Sequence, residues 1–109
     1  MSVTIDDGGI VILDPADKRV IQFDWDDENL GTSVEISTSA WAITAIVQSG
    51  ATILTKDNES IVTGNRKTEV RLLATTATAG DYYEVENAIV TNESPAQTKN
   101  KQFYVLIQD

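Results

Sequence analysis

Apolar and polar residues alternate in short runs along this chain, and no window of a dozen residues repeats its apolar positions at the spacing of a helix without interruption by Gly, Thr or Ser. A period of two puts successive side chains on opposite faces of an extended strand, so the pattern predicts half-buried β-strands. Six runs carry it. Residues 19–25 place Ile21, Phe23 and Trp25 on one face, with Gln22 and Asp24 opposite. Residues 33–37 set Val34 and Ile36 against Glu35, and residues 41–48 align Trp41, Ile43, Ala45 and Val47. Residues 67–73 send Val70 and Leu72 inward and Glu69 and Arg71 outward. Residues 82–91 align Tyr83, Val85, Asn87 and Ile89, with Glu84 and Glu86 on the wet side. Residues 101–108 align Phe103, Val105 and Ile107.

Two weaker strands, 51–55 and 60–63, are expected between the third and fourth long runs. Ser49-Gly50, Lys56-Asp57-Asn58, Gly64-Asn65 and Ala79-Gly80-Asp81 separate the runs with turn-forming residues. Short strands and turns in this rhythm predict an all-β, antiparallel sandwich of two sheets, with Trp25 and Trp41 between them. At 109 residues the chain is one domain's length. The first 18 residues depart from the rhythm: Asp6-Asp7-Gly8-Gly9 reads as a flexible break, Ile10–Leu13 as a short strand, and Asp14-Pro15 as its stop. The expected organisation is an extended N-terminal arm over 1–18 and a sandwich over 19–109. The arm's strand either pairs with an edge of its own sandwich or reaches a neighbouring subunit.

Composition narrows the chemistry. The net charge is −9, and an acidic chain lacks the basic face that a nucleic-acid partner requires. Cysteine and histidine are both absent, which removes disulfides, thiolate nucleophiles, the usual general base near neutral pH and the commonest metal ligand. The acidic run Asp24, Asp26, Asp27, Glu28 is the place to look for a cation. It is interrupted by Trp25 and lacks the terminal bidentate Glu of an EF-hand loop, so it reads as a solvated loop. Lys18, Lys56, Lys67, Lys99 and Lys101 fall in turns or at strand ends, where they are expected to stay solvated and not to serve as Schiff-base amines. Neither an enzyme nor a cofactor is expected. The N-terminus carries acids where a secretory signal needs Lys or Arg, and Ile10–Leu13 is far shorter than the roughly 20 residues of a membrane span. Synthesis in a cytoplasm with no membrane partner is the expectation.

Contact residues are easier to nominate. Tyr104 and Leu106 face away from Phe103, Val105 and Ile107, so the last strand is apolar on both sides. Such a strand is either covered twice or meets another chain, and Tyr82 on the preceding run points the same outward way. The polar stretch 91–100, with Thr91, Asn92 and Pro95, predicts an exposed hairpin loop. With Ile10, Val11, Ile12 and Leu13 of the arm, these residues make up the candidate subunit interface.

Two stretches resemble a known group. One is Phe23-Asp24-Trp25 … Leu30, then Val34-Glu35-Ile36-Ser37 and Ser39-Ala40-Trp41-Ala42-Ile43. The other is Ala79-Gly80-Asp81-Tyr82-Tyr83-Glu84-Val85-Glu86-Asn87, continuing Ile89-Val90-Thr91. In order and spacing they resemble small immunoglobulin-like accessory proteins of tailed-bacteriophage virions. The chain departs from that group at Ser94-Pro95-Ala96, where its polar loop usually holds Gly-Arg. The resemblance implies an immunoglobulin-like sandwich working as a virion structural component by binding. The first expectation is a capsid decoration or cement protein bound to the major capsid protein, with self-association as a further property. An adaptor between tail and fibre, or an immunoglobulin-like carbohydrate or host-surface module, is the alternative. Gly80 permits a tight corner, and the Tyr83 hydroxyl is expected to bond backbone there, as in the tyrosine corner of immunoglobulin folds.

Overall fold

The computed structural model describes residues 2–25, 33–47, 54–62, 64–75 and 77–108. It contains β1 (Ser2–Thr4), β2 (Ile10–Leu13), β3 (Lys18–Asp24), β4 (Ile36–Val47), β5 (Thr55–Ile61), β6 (Lys67–Leu73), β7 (Tyr82–Thr91) and β8 (Thr98–Ile107). They form two four-stranded sheets, one ordered β1-β3-β6-β5 and the other β2-β8-β7-β4. Pairing is antiparallel except at β1–β3 and β2–β8, which are parallel. The all-β sandwich expected from the alternation is what forms.

The N-terminal segment is held within the body of the protein. Its first strand extends one sheet and its second extends the other, with Ile10–Leu13 in register against residues 104–107. Of the two readings for this strand, the structure takes the edge of its own sandwich. Val11 and Leu13 are buried in the core. The break at 6–9 is a tied turn: Gly8 N donates to Gln102 O (2.7 Å), Gln102 N to Asp7 Oδ1 (2.9 Å) and Gly9 N to Asp6 O (2.9 Å). A Cβ on Gly9 would lie 2.7 Å from Ile5 Cγ1 and 2.9 Å from Asp6 O, so the turn closes only around glycine.

Two boundaries differ from the sequence expectation. Residues 36–37 and 41–47 of two separate expected runs belong to one strand, β4, because the intervening Thr38-Ser39-Ala40 pairs with residues 88–90 across an irregularity at Ile36/Thr38. Ser33–Glu35 precede the strand, and residue 48 lies outside the described residues. Lys56-Asp57-Asn58 does not turn the chain. It lies inside β5, where the turn chemistry makes a bulge: the register shifts between Asp57 and Ser60, and Asn58 takes φ 52°. Residues 51–53 and 63 of the expected weak strands lie outside the described residues.

Among the described residues five aromatic side chains are buried in the core, Tyr83 and a cluster of four around Phe23. Phe23 stacks on Trp41 (5.6 Å, 2°) and meets Trp25 and Phe103 edge-on (6.1 and 5.6 Å). Each such pair contributes about 0.5–1.5 kcal/mol beyond its buried area. Beside them a polar network joins the sheets. Trp25 Nε1 donates to Thr68 Oγ1 (2.9 Å), Thr68 Oγ1 donates to Asn87 Oδ1 (2.5 Å), and Asn87 Nδ2 donates to Ser39 Oγ (2.9 Å) and Ala40 O (3.1 Å). Lys101 corrects an expectation, being only 4% exposed. It shares the parity of Phe103 and Val105, so the strand turns it inward. There its Nζ donates to Asp24 O (3.0 Å) and lies 5.0 Å from the Trp25 ring centroid, contacts that compensate its burial.

Candidate interaction surface

The two outer faces of the sandwich are chemically different. On the β1-β3-β6-β5 face, charges meet opposite charges or amides across the strands. Arg71 Nε and Nη2 grip Asp57 Oδ1 and Oδ2 at 2.8 and 2.6 Å, Gln22 Nε2 donates to Glu69 Oε2 (3.3 Å), and Asp24 lies opposite Lys67. The Arg71 fork lowers the Asp57 pKa below its ordinary value, and the same bond raises that of Arg71. This is a solvated, charge-compensated face.

The outer face of the β2-β8-β7-β4 sheet is apolar at one end. Residues directly opposite in a ladder share a face, so the register reads out its rows. One row is Ile12, Leu106, Tyr82 and Val47, apolar across all four strands. The next is Ile10, Tyr104, Glu84 and Thr44, followed by Gln102, Glu86 and Ala42. The Tyr82 and Tyr104 rings stack at 5.7 Å and 10°. Ile10, Ile12 and Val47 are 56%, 54% and 54% exposed. Val47 was expected on the Trp41 side, but a bulge between Ala45 and Val47 re-aims it opposite Tyr82. Ala45 keeps Trp41's parity yet is exposed, while Tyr83 opposite it is buried.

Five nominated residues therefore come together here: Ile10, Ile12, Tyr82, Tyr104 and Leu106. Val11 and Leu13 do not, because a β-strand sends alternate residues inward and these two fill the core. Val47 was missed as a surface residue, although the doublet Ile46-Val47 breaks the alternation and signals a bulge. Glu84 and Glu86 were read as wet, without their place in the middle of this face being legible.

The other nominated residues lie at the opposite end of β7, whose ten residues span roughly 30 Å at about 3.3 Å each. Thr91 is buried and organises its loop. Its Oγ1 donates to Glu93 Oε1 (2.9 Å) and accepts from Gln97 N (3.0 Å). Asn92 is spent on structure, donating through N to Glu35 O (2.9 Å) and accepting at Oδ1 from Glu35 N (3.0 Å). Asn65 Nδ2 donates to Glu35 Oε1 (3.0 Å) and Arg66 Nη1 to Val34 O (2.7 Å). Three loops are thus tied together at this end, and Pro95, after a cis peptide bond, stays exposed.

The expected corner bond of Tyr83 takes a side chain as its acceptor: the hydroxyl donates to Asp81 Oδ2 at 3.0 Å, and Thr78 N donates to the same oxygen at 3.2 Å. Burial first, then the Asp81 bond and charge, raise the Tyr83 pKa against a smaller opposing effect of the Leu54 backbone. Asp26, Asp27 and Glu28 lie outside the described residues. Among the described residues no group of three or more carboxylates is placed to hold a metal ion.

No protein-family model and no curated protein sequence matches the chain. Among solved structures it is similar to a cysteine protease inhibitor from Entamoeba histolytica, with a TM-score of 0.55 and 14% identity, over 98% of this chain and 93% of that one. At that identity the likeness is one of fold.

Proposed function

We propose that this chain is a non-enzymatic adhesion module of a tailed-phage virion, most simply a decoration protein bound to the capsid lattice. One observation carries the adhesive part of this reading. Of the two outer faces, one is neutralised by its own cross-strand pairs, while the other presents an unbroken apolar row across four strands. An apolar patch of that kind marks a surface that works by contact with protein. The virion setting rests on the resemblance of 23–43 and 79–91 to phage accessory proteins. The strand order supports the immunoglobulin-like part, since β3-β6-β5 and β8-β7-β4 follow the B-E-D and G-F-C order of that fold.

The test is co-sedimentation of the purified chain with heads, and separately with tails and fibres, of the phage or prophage whose genome carries the gene. Saturable binding to heads, weakened by Tyr82→Ser with Leu106→Ser, is the expected result. Binding to tails alone moves the role to the adaptor, and binding to immobilised glycans alone moves it to the carbohydrate module. Binding to none of them refutes the reading.

The cross-tied loop end supports a second reading, in which residues 33–35, 64–66 and 92–97 enter a partner's cleft. The amoebal protein of like fold is a cysteine protease inhibitor, which names the enzyme class to try. Stoichiometric inhibition of papain, lost when 93–96 are replaced by glycines, is the result this reading requires; full papain activity at micromolar chain refutes it.

A further inference from the structure

We infer that the partner of the β2-β8-β7-β4 face is a protein surface that carries arginine among apolar side chains, and that Glu84 and Glu86 receive it. The inference rests on the proposed use of this face for docking and adds the chemistry of what docks. Its starting point is the charge on the face. The outward residues of the register are Ile10 and Ile12, then Thr98, Asn100, Gln102, Tyr104 and Leu106. From β7 and β4 come Tyr82, Glu84, Glu86, Ala88 and Val90, then Thr38, Ala40, Ala42, Thr44 and Val47. Two carboxylates stand among them and no lysine or arginine.

Both carboxylates are half-buried by their neighbours, and among the described residues neither has an ion-pair partner. That contrasts with Asp57, Glu69 and Asp24 on the other face, each set against a cation or an amide. Covering Glu84 and Glu86 with an apolar or anionic surface would strand two charges without compensation, which is strongly unfavourable. A second copy packed face to face about a two-fold axis brings four carboxylates and no cation, so self-association through this face is disfavoured. Nucleic acid and anionic lipid are disfavoured by the same sign.

Arginine fits better than lysine. Glu84 lies directly opposite Tyr104, whose ring stacks on Tyr82. A guanidinium placed there bonds the carboxylate in bidentate fashion while its plane lies on an aromatic face. The apolar row alongside supplies the hydrophobic contact that excludes water and strengthens the pair.

The experiment uses the full ¹⁵N-labelled chain and a set of short synthetic peptides alternating valine with arginine, lysine, citrulline or glutamate. Citrulline keeps the shape of arginine without its charge. The arginine peptide is expected to shift the amide resonances of 10–12, 82–86 and 104–106. It should bind roughly tenfold tighter than the citrulline peptide, and lose that advantage between about 50 and 500 mM salt. Glu84→Gln with Glu86→Gln should bind the two peptides alike while keeping the melting temperature of the parent. Equal binding of arginine and citrulline peptides to the parent overturns the charge inference and leaves apolar docking standing. Shifts confined to other surfaces, or none with any peptide, overturn both.

Discussion

Replacing Asn87 by alanine tests whether the polar network between the sheets is a structural necessity. Asn87 is fully buried, and its amide makes four bonds: Oδ1 accepts from Thr68 Oγ1 and, at 3.3 Å, from Trp25 Nε1, while Nδ2 donates to Ser39 Oγ and Ala40 O. Truncation orphans the Thr68 hydroxyl proton and removes the side-chain donor to Ala40 O. Each buried orphan costs about 1–3 kcal/mol. The space left by three heavy atoms adds roughly 1 kcal/mol at about 24 cal/mol per Å³. The sum is about 3–7 kcal/mol, which at roughly 4 °C per kcal/mol lowers the melting temperature by about 12–28 °C. Thr68→Val is the control. Trp25 Nε1 then keeps Asn87 Oδ1 as acceptor, so the loss should be about 1 kcal/mol. Urea unfolding followed by far-ultraviolet circular dichroism gives both numbers. An Asn87→Ala loss below about 1 kcal/mol, or a Thr68→Val loss equal to it, refutes the reasoning.

Three further outcomes follow from the geometry. Because the folded pKa of Tyr83 is raised above 10.0, its contribution is complete below that pH and is lost as pH rises through the folded value. Tyr83→Phe should therefore remove part of the alkaline fall in stability seen in melts between about pH 9 and 12. Asp57 is shifted the other way, so its contribution is present above 3.8 and lost as pH falls through the lowered value. The gap between the parent and Asp57→Asn should close in acid melts, and a gap that persists at about pH 2 counts against the Arg71 pair. Gly9→Ala should cost about 1–3 kcal/mol, since its Cβ meets a backbone oxygen that cannot step aside, and calorimetry showing no loss refutes the tied turn.

Most core positions were legible before any coordinates, because inward or outward parity along a strand is local stereochemistry. Ile21, Phe23, Val70, Leu72, Tyr83, Val85, Ile89, Phe103, Val105 and Ile107 all lie where the alternation put them. Lys101 obeyed the same parity, and reading it as solvated gave chemical type more weight than position. The candidate surface was half legible. Tyr104, Leu106 and Tyr82 declared themselves as apolar residues on a strand's second face. Thr91 and Asn92 looked like contact residues only because polarity does not reveal whether a side chain's bonds are already satisfied within the fold.

By itself, the sequence determined the fold class, the inward set of each long run, and the exclusion of cysteine and histidine chemistry. These follow from backbone geometry and composition, which need no knowledge of neighbours. The tertiary structure decided the rest. It put β2 on the edge of its own sandwich, drew Lys101 onto the tryptophan ring, and left Ala45 exposed despite its inward parity. It also set the bulge that carries Val47 to the outer face and completes the apolar row. The physical reason is that cover and register belong to pairs of strands: whether a side chain is buried or presented depends on where the partner ends, which no single run of residues encodes.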